Sequence, residues 1–332
     1  MKNSAFPPLR FLRVFFNELN KKDCKIMKIR LLSGSVYVAL LVAFYCLKVF
    51  LPQPYGDFAF DVLLYAFAWI GTFEMLRAMQ GGVTKKEKAI VFAFTAVSIP
   101  ACAFSQAMWG AGLQAMCLCL LLLSVALLSL LVIAHDETSL ESLGLALLSA
   151  VYPAFFISVL VLGNHFTPTA KLAELGVNSK LFVLFVFVIS PSADSFAYLF
   201  GRFLRKTFPQ KMAPNLSPNK TVIGGVGGLV GGIVGAVALY FIYTACANVP
   251  AQTATCANTT SLWLPIYIMI GLIGSAVTEF GDLVESCIKR KLGLKDMGKI
   301  MPGHGGVLDR LDSVMFTAIS TYLLFLLLCV IF

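Results

Sequence analysis

The sequence predicts an all-α polytopic membrane protein of about nine transmembrane helices with a cytoplasmic N-terminus. Three observations carry that prediction. Of 332 residues, 58% are apolar and 13% are charged, about half the charged share of a soluble domain. The apolar residues fall in runs near the ~20 residues that cross a bilayer, without the polar face of a soluble helix. Lysine and arginine concentrate in alternate connections between those runs.

Residues 1–30 form a basic tail with no apolar run of signal-peptide length. Within it, FLRVFFNEL (11–19) reads equally as an amphipathic surface helix or as a solvated tail. Apolar spans follow at 31–51, 58–79, 88–105, 112–134, 143–163, 180–200, 221–246, 262–282 and 310–332. Pro100 interrupts the third and makes it the weakest. The last begins among charged residues, which moves its expected membrane entry toward Val314. Spans one to five (31–175) make an N-terminal region. Spans six to nine (176–332), with cytoplasmic loops 202–220 and 283–309, make the expected catalytic region.

With nine spans, one side of the membrane collects 23 of the 26 basic residues, and the other has only Lys48, Lys171 and Lys180. The positive-inside rule makes the rich side cytoplasmic. A net charge of +9 raises the question of nucleic acid. The basic residues lie between apolar spans with no interleaved aromatic module, so no nucleic-acid partner is expected.

The nine cysteines are scattered without a C-x-x-C pair, and Cys46, Cys102, Cys117, Cys119 and Cys329 sit in apolar runs, where cysteine acts as a small hydrophobe. No zinc site is expected. Cys246 and Cys256 flank one short loop and could pair if it faces an oxidising compartment.

Ionisable groups inside spans are costly and therefore informative. Span six carries Asp194 and Ser195 near its end, followed by Arg202. Span eight ends with Glu279, Asp282 and Glu285, spaced by three so that neighbours share a helical face. Such a cluster repels itself unless a cation is present; the plainer alternative is a solvated helix end with Glu285 paired to Lys289. Next come Lys289, Arg290, Lys295 and Asp296, then MPGHGGVLDRLDS (301–313), with glycines that permit close backbone approach and with Asp309 and Asp312 at a helix start. Two acidic clusters could thus converge on one divalent ion, and oxygen ligands beside phosphate point to Mg²⁺. A second basic loop ends SPNKT (217–221), placing Ser217, Lys220 and Thr221 at a helix N-terminus that suits an anion. The glycine-rich run 221–235 reads as helix packing through small-xxx-small pairs; Gly224 and Gly225 suit a phosphate cradle equally well. No Walker A sequence, Rossmann fingerprint or G-x-S-x-G elbow is present.

The run SCIKR (286–290), Lys295-Asp296, PGHGG (302–306) and DRLD (309–312) closely resembles the signature of phosphatidate cytidylyltransferases, the CDP-diacylglycerol synthases. Asp194-Ser195, Gly201-Arg202 and SPNKT resemble the family's second block, and together these stretches cover about 120 residues. Met301 departs from the family's usual Leu, Ile or Phe with similar volume. The resemblance implies a reaction of CTP with phosphatidate giving CDP-diacylglycerol and pyrophosphate. It further implies Mg²⁺, with room for a K⁺ ion, a homodimer, and a polar cavity facing the cytoplasm and open sideways to membrane lipid. Asp282 and Asp309 would hold the metal, and Lys220, Lys289 and Arg290 would meet phosphates. His304 and Arg310 complete the expected catalytic set, His304 as a positioner more than a base, because the lipid phosphate is already largely deprotonated. Substrate contacts are expected from Asp194, Ser195, Arg202, Ser217, Lys220, Thr221, Glu285, Ser286, Lys295, Asp296, Gly305, Gly306 and Asp312. Asp312 could instead pair with Arg310. A bacterial inner membrane is the expected location. Two other readings are a CTP-dependent kinase of a polyprenol or similar lipid alcohol, and an anion transporter with paired, interrupted helices.

Overall fold

The computed structural model describes residues 21–174, 176–246, 257–303 and 305–332, with side chains from Ile29 onward except at 246 and 257–262. The tail segment 11–19, the Cys246–Cys256 pairing and His304 therefore lie outside the described residues.

Among the described residues, nine helices are long and apolar enough to cross a membrane. In chain order they are α1 (Lys21–Phe50), α2 (Tyr55–Ala78), α3 (Lys85–Trp109), α4 (Gly112–Ile133), α5 with α6 as one span (Leu140–Ala150 and Phe156–Asn164), α8 (Ser179–Phe203), α9 (Val222–Cys246), α10 (Ala257–Lys291) and α11 (Leu308–Ile331). A short α7 (Ala170–Glu174) connects spans five and six, and a two-stranded antiparallel hairpin, β1 (Lys211–Ala213) and β2 (Ser217–Thr221), connects spans six and seven.

Most of the helices bury one face and leave the other exposed, whereas α6 is buried on all sides from Ile157 to Asn164. Along α4, Met116, Cys119, Leu123 and Leu127 are buried while Leu118, Leu121, Leu122, Val125 and Val132 are exposed, an apolar outer surface that only a bilayer accommodates. The core joins α2, α6, α8 and α11 through Phe60, Leu64, Ile157, Phe182, Phe185 and Phe325.

Three departures from the expected spans have physical reasons. Helix α3 continues through Pro100 to Trp109; proline is tolerated in a membrane helix where neighbours re-satisfy the freed backbone groups. Its start is fixed by a Thr84–Glu87 capping box and its end by Gly110 at φ +64°. Span five carries a π-helical turn over Val151–Phe155, around Pro153, whose missing N–H disrupts the regular ladder. Helix α10 does not stop at 282 but runs to Lys291, so residues 283–291 of the expected loop are its last turns, and α11 begins at Leu308, before Val314.

The glycine-rich helix α9 determines how the second half packs. An added Cβ at Gly231 would overlap Phe196 and the Ser192 carbonyl of α8, and one at Gly232 would overlap Ser275 and the Gly271 carbonyl of α10. Glycine on this stripe lets three helices approach backbone to backbone. The C-terminal ends of α8 and α10 thereby meet the N-terminal ends of α9 and α11 at one end of the bundle.

Candidate active site

At that end lies a cavity of ≈ 760 Å³ with six acidic and five basic side chains on its walls: Asp194, Glu279, Asp282, Asp296, Asp309 and Asp312 against Arg202, Arg205, Lys220, Lys289 and Arg310. Its formal balance is −1. Asp282 and Asp309, from separate membrane segments, line this one cavity.

Two lysines organise the carboxylates. Lys220, at the end of β2, pairs with Asp282 Oδ2 at 2.5 Å, and Ser286 Oγ one turn along α10 reaches Asp282 Oδ1 at 3.4 Å. Lys289 donates to Glu285 Oε2 and Asp309 Oδ1, both at 2.8 Å, tying α10 to α11. Asp309 Oδ2 accepts the backbone N–H groups of Met297 (2.9 Å) and Gly306 (2.8 Å). Asp309 is therefore the hub that folds the 292–307 loop over the cavity. Gly305, at φ +94°, forms an isolated bridge with Met301, and a Cβ there would stand 2.7 Å from Asp309 Oδ2. Asp312 is buried and accepts the Ser313 N–H at 2.6 Å.

The donor set suits a hard cation. All six acidic groups offer oxygen, though among the described residues no three His, Cys, Asp or Glu side chains are placed to hold a metal ion by themselves. Mg²⁺ takes one or two carboxylates and completes its shell with phosphate and water. A carboxylate has about four acceptor positions. Asp309 uses three in the contacts above, and Asp282, whose side chain is 32% exposed, uses two. Asp282 is the more open of the two carboxylates.

Several expected contacts fall elsewhere. The Arg290 guanidinium donates to the carbonyls of Leu216 (3.4 Å) and Leu294 (3.2 Å), bracing the hairpin and the turn after α10, and it does not line the cavity. Ser195 bonds back to the Pro191 carbonyl at 2.7 Å along its own helix. Thr221 lines the cavity but spends its hydroxyl as the cap of α9, accepting the Gly224 N–H at 3.1 Å. Ser217 lies in strand β2, not at the helix start, and neither it nor Lys295 reaches the wall. Glu285 is fully buried, taking a hydrogen bond from Lys289 on Oε2 and sharing another with the Asp312 carboxyl group. Arg202 lines the cavity with Nη1 2.5 Å from the Tyr198 hydroxyl.

Glu279, flagged in the acidic cluster of span eight, reaches the wall because Gly228 leaves it room. Two contributors were missed: Arg205, which lines the cavity, and a carboxylate of span two. Glu74, 1% exposed on α2, accepts the N–H groups of Val307 (3.1 Å) and Leu308 (2.9 Å) with its two oxygens. It thereby caps the N-terminus of α11, the helix that carries Asp309, Arg310 and Asp312. Gly298 and Gly306 pack against its carboxylate, where a Cβ would collide. Gly306 therefore serves Glu74 through its α-carbon and Asp309 through its N–H. Applying the rule about buried charge to span two would have flagged Glu74.

Comparison with known proteins gives the family. The sequence profile described as "Cytidylyltransferase family" matches residues 28–328. The phosphatidate cytidylyltransferase of Bacillus subtilis (strain 168) is 31% identical over 311 residues, 90% of this chain and 97% of that protein. The enzyme of the same name from Staphylococcus saprophyticus is 34% identical over 197 residues, 59% of this chain and 64% of its own. That of Staphylococcus aureus (strain COL) is 38% identical over 135 residues, 41% and 45% respectively. A match running from the first span to the end of the last makes this chain a member of the cytidylyltransferase family.

Proposed function

We propose that the chain is a phosphatidate cytidylyltransferase, joining CTP and phosphatidate to give CDP-diacylglycerol and pyrophosphate. The observation that carries this reading is the single cavity in which Asp282 and Asp309 stand among lysines and arginines from three helix ends and the β2 strand. A nucleotide carrying a divalent cation is matched by both the carboxylates and the basic groups of this cavity. Mg²⁺ held by Asp282 and Asp309 would neutralise charge on the CTP phosphates and help pyrophosphate leave.

The phosphate oxygen of the lipid attacks the α-phosphorus of CTP. The new bond is P–O–P, the bond to the β-phosphate bridging oxygen breaks, and its electron pair leaves with pyrophosphate. No proton need move when the lipid phosphate is a dianion. The protein's work is positioning and charge compensation. Arg310 and Arg202 both line the cavity and would meet the incoming anions. Lys289 holds the Asp309 carboxylate in place, and Lys220 fixes Asp282.

The topology supports a cytoplasmic site. The basic residues cluster at the cavity end, which the positive-inside rule assigns to the cytoplasm, and the relatives are bacterial, in keeping with a bacterial cell membrane. A K⁺ ion beside Mg²⁺ and a homodimer belong to the same proposal; replacement of K⁺ by Na⁺ in the assay tests the first, and cross-linking in membranes tests the second.

The test is pyrophosphate release by detergent-purified protein with CTP, phosphatidate and Mg²⁺. Asp282→Asn and Asp309→Asn should each lower the rate by at least about a hundredfold, roughly what one transition-state electrostatic contact supplies. A folded Asp309→Asn variant with near-normal turnover would remove the metal assignment.

A further inference from the structure

A second cavity, of ≈ 420 Å³, adjoins the first and is of a size that holds small ligands. Its walls are apolar: Tyr37, Leu41 and Tyr45 of α1 face Phe187 and Val188 of α8, with Val314 of α11 between them. Apart from Ser190 and the tyrosine hydroxyls, its polar lining is Asp194 and Arg310 at one end, the two residues that also line the polar cavity. At the other end the Tyr45 hydroxyl donates to the Lys180 carbonyl at 3.5 Å and links the two walls.

Resting on the lipid-substrate reading above, we propose that this slot holds an acyl chain of the phosphatidate, with the lipid phosphate presented at Arg310. Three observations fit that occupant. The slot is apolar and joins a basic side chain at the mouth of the nucleotide cavity, the polarity of a lipid lying with its phosphate toward CTP. Its α1 wall runs from Gly34 to Tyr45, about 16 Å of helix. One leaflet of a ~30 Å hydrocarbon core has nearly the same depth. Helix α1 is also fastened to the loop over the active site, because Ser33 Oγ donates to the Pro302 carbonyl at 3.0 Å. Met301, from the same loop, lines the slot, and a flexible thioether fills irregular apolar space readily. The first span thus forms a wall of the lipid site, and the residues facing the slot select the chain.

The test uses full-length protein in mixed micelles and a phosphatidate bearing a photoreactive diazirine in one acyl chain. Irradiation should label the α1 peptide containing residues 34–45, and excess unlabelled phosphatidate should compete. Labelling confined to other helices, or labelling on α1 without competition, overturns the proposal, the latter marking an ordinary bilayer lipid. In parallel, Leu41→Trp and Val188→Trp fill the slot from opposite walls. Each should raise the ratio of KM for dioleoyl to KM for dihexanoyl phosphatidate about tenfold, the loss of roughly two buried methylenes. An unchanged ratio in both variants also overturns it. Absence of any CDP-lipid from wild-type protein would instead defeat the functional reading itself, so the two failures are distinguishable.

Discussion

Replacing Glu74 by glutamine changes one oxygen of a buried carboxylate into an NH₂ group and removes the negative charge. In the native structure each carboxylate oxygen accepts one backbone N–H at the start of α11, from Val307 and Leu308. Glutamine can serve only one of these and turns a donor toward the other. Losing one of these bonds and so stranding its buried donor costs ~1–3 kcal/mol in all. Together with the lost interaction at the helix dipole, the start of α11 should be weakened locally by about 2–3 kcal/mol. The damage falls where Asp309, Arg310 and Asp312 are aimed. At about 1.4 kcal/mol per factor of ten, kcat/KM should fall roughly thirty- to hundredfold. Glu74 lines neither cavity, so the loss should appear mainly in kcat, with a broadened dependence on Mg²⁺ concentration. The assay is steady-state kinetics on detergent-purified variants, with hydrogen exchange at residues 297–308 as the structural readout. Glu74→Asp, which keeps the charge, should recover part of the rate. A Glu74→Gln protein with activity within about twofold of wild type and unchanged exchange would refute the reasoning.

Three further outcomes follow from the same geometry. Lys289→Met leaves Glu285 and Asp309 buried without their shared cation, a loss of ~3–5 kcal/mol; thermal unfolding should shift down sharply, and adding Glu285→Gln should restore part of the shift. Arg290→Ala should retain activity within about tenfold, because its guanidinium braces carbonyls, whereas Lys220→Ala should lose about a hundredfold or more, near 2.7 kcal/mol; equal losses would return Arg290 to the phosphate-binding set. At the opposite end of the bundle, the fully buried Lys48 is paired with Asp57 and donates to the Asn164 carbonyl (2.9 Å) and Ser179 Oγ (3.1 Å). Lys48→Met should therefore lower stability by ~3–5 kcal/mol without changing the KM for CTP, and a selective KM effect would contradict a purely structural role.

The sequence makes the spans legible because a bilayer demands long uninterrupted apolar runs. The 282–312 cluster is legible because its carboxylates, lysines and glycines are close in the chain. Side-chain direction is not encoded in that spacing. Arg290 and Lys289 are neighbours, yet the helix turns one toward Asp309 and the other toward Leu216. Thr221 sits at the expected helix start but spends its hydroxyl on the cap. Contacts between distant segments were invisible for a different reason. Glu74 lies 233 residues from Val307, and Asp61 meets His165 at 2.6 Å across 104 residues. Each reads alone as an isolated polar residue in or beside an apolar span. Their burial inside the bundle was predictable from the cost of charge in lipid; their partners were not.

The central claim is tested most directly by following the phosphorus atoms of CTP. Purified protein is given phosphatidate, Mg²⁺ and CTP labelled at either the α- or the γ-phosphate, and the lipid and aqueous products are separated. The account predicts α-label in the lipid product and γ-label in pyrophosphate, with both lost in Asp282→Asn. Transfer of the γ-label to lipid would contradict it and identify a kinase.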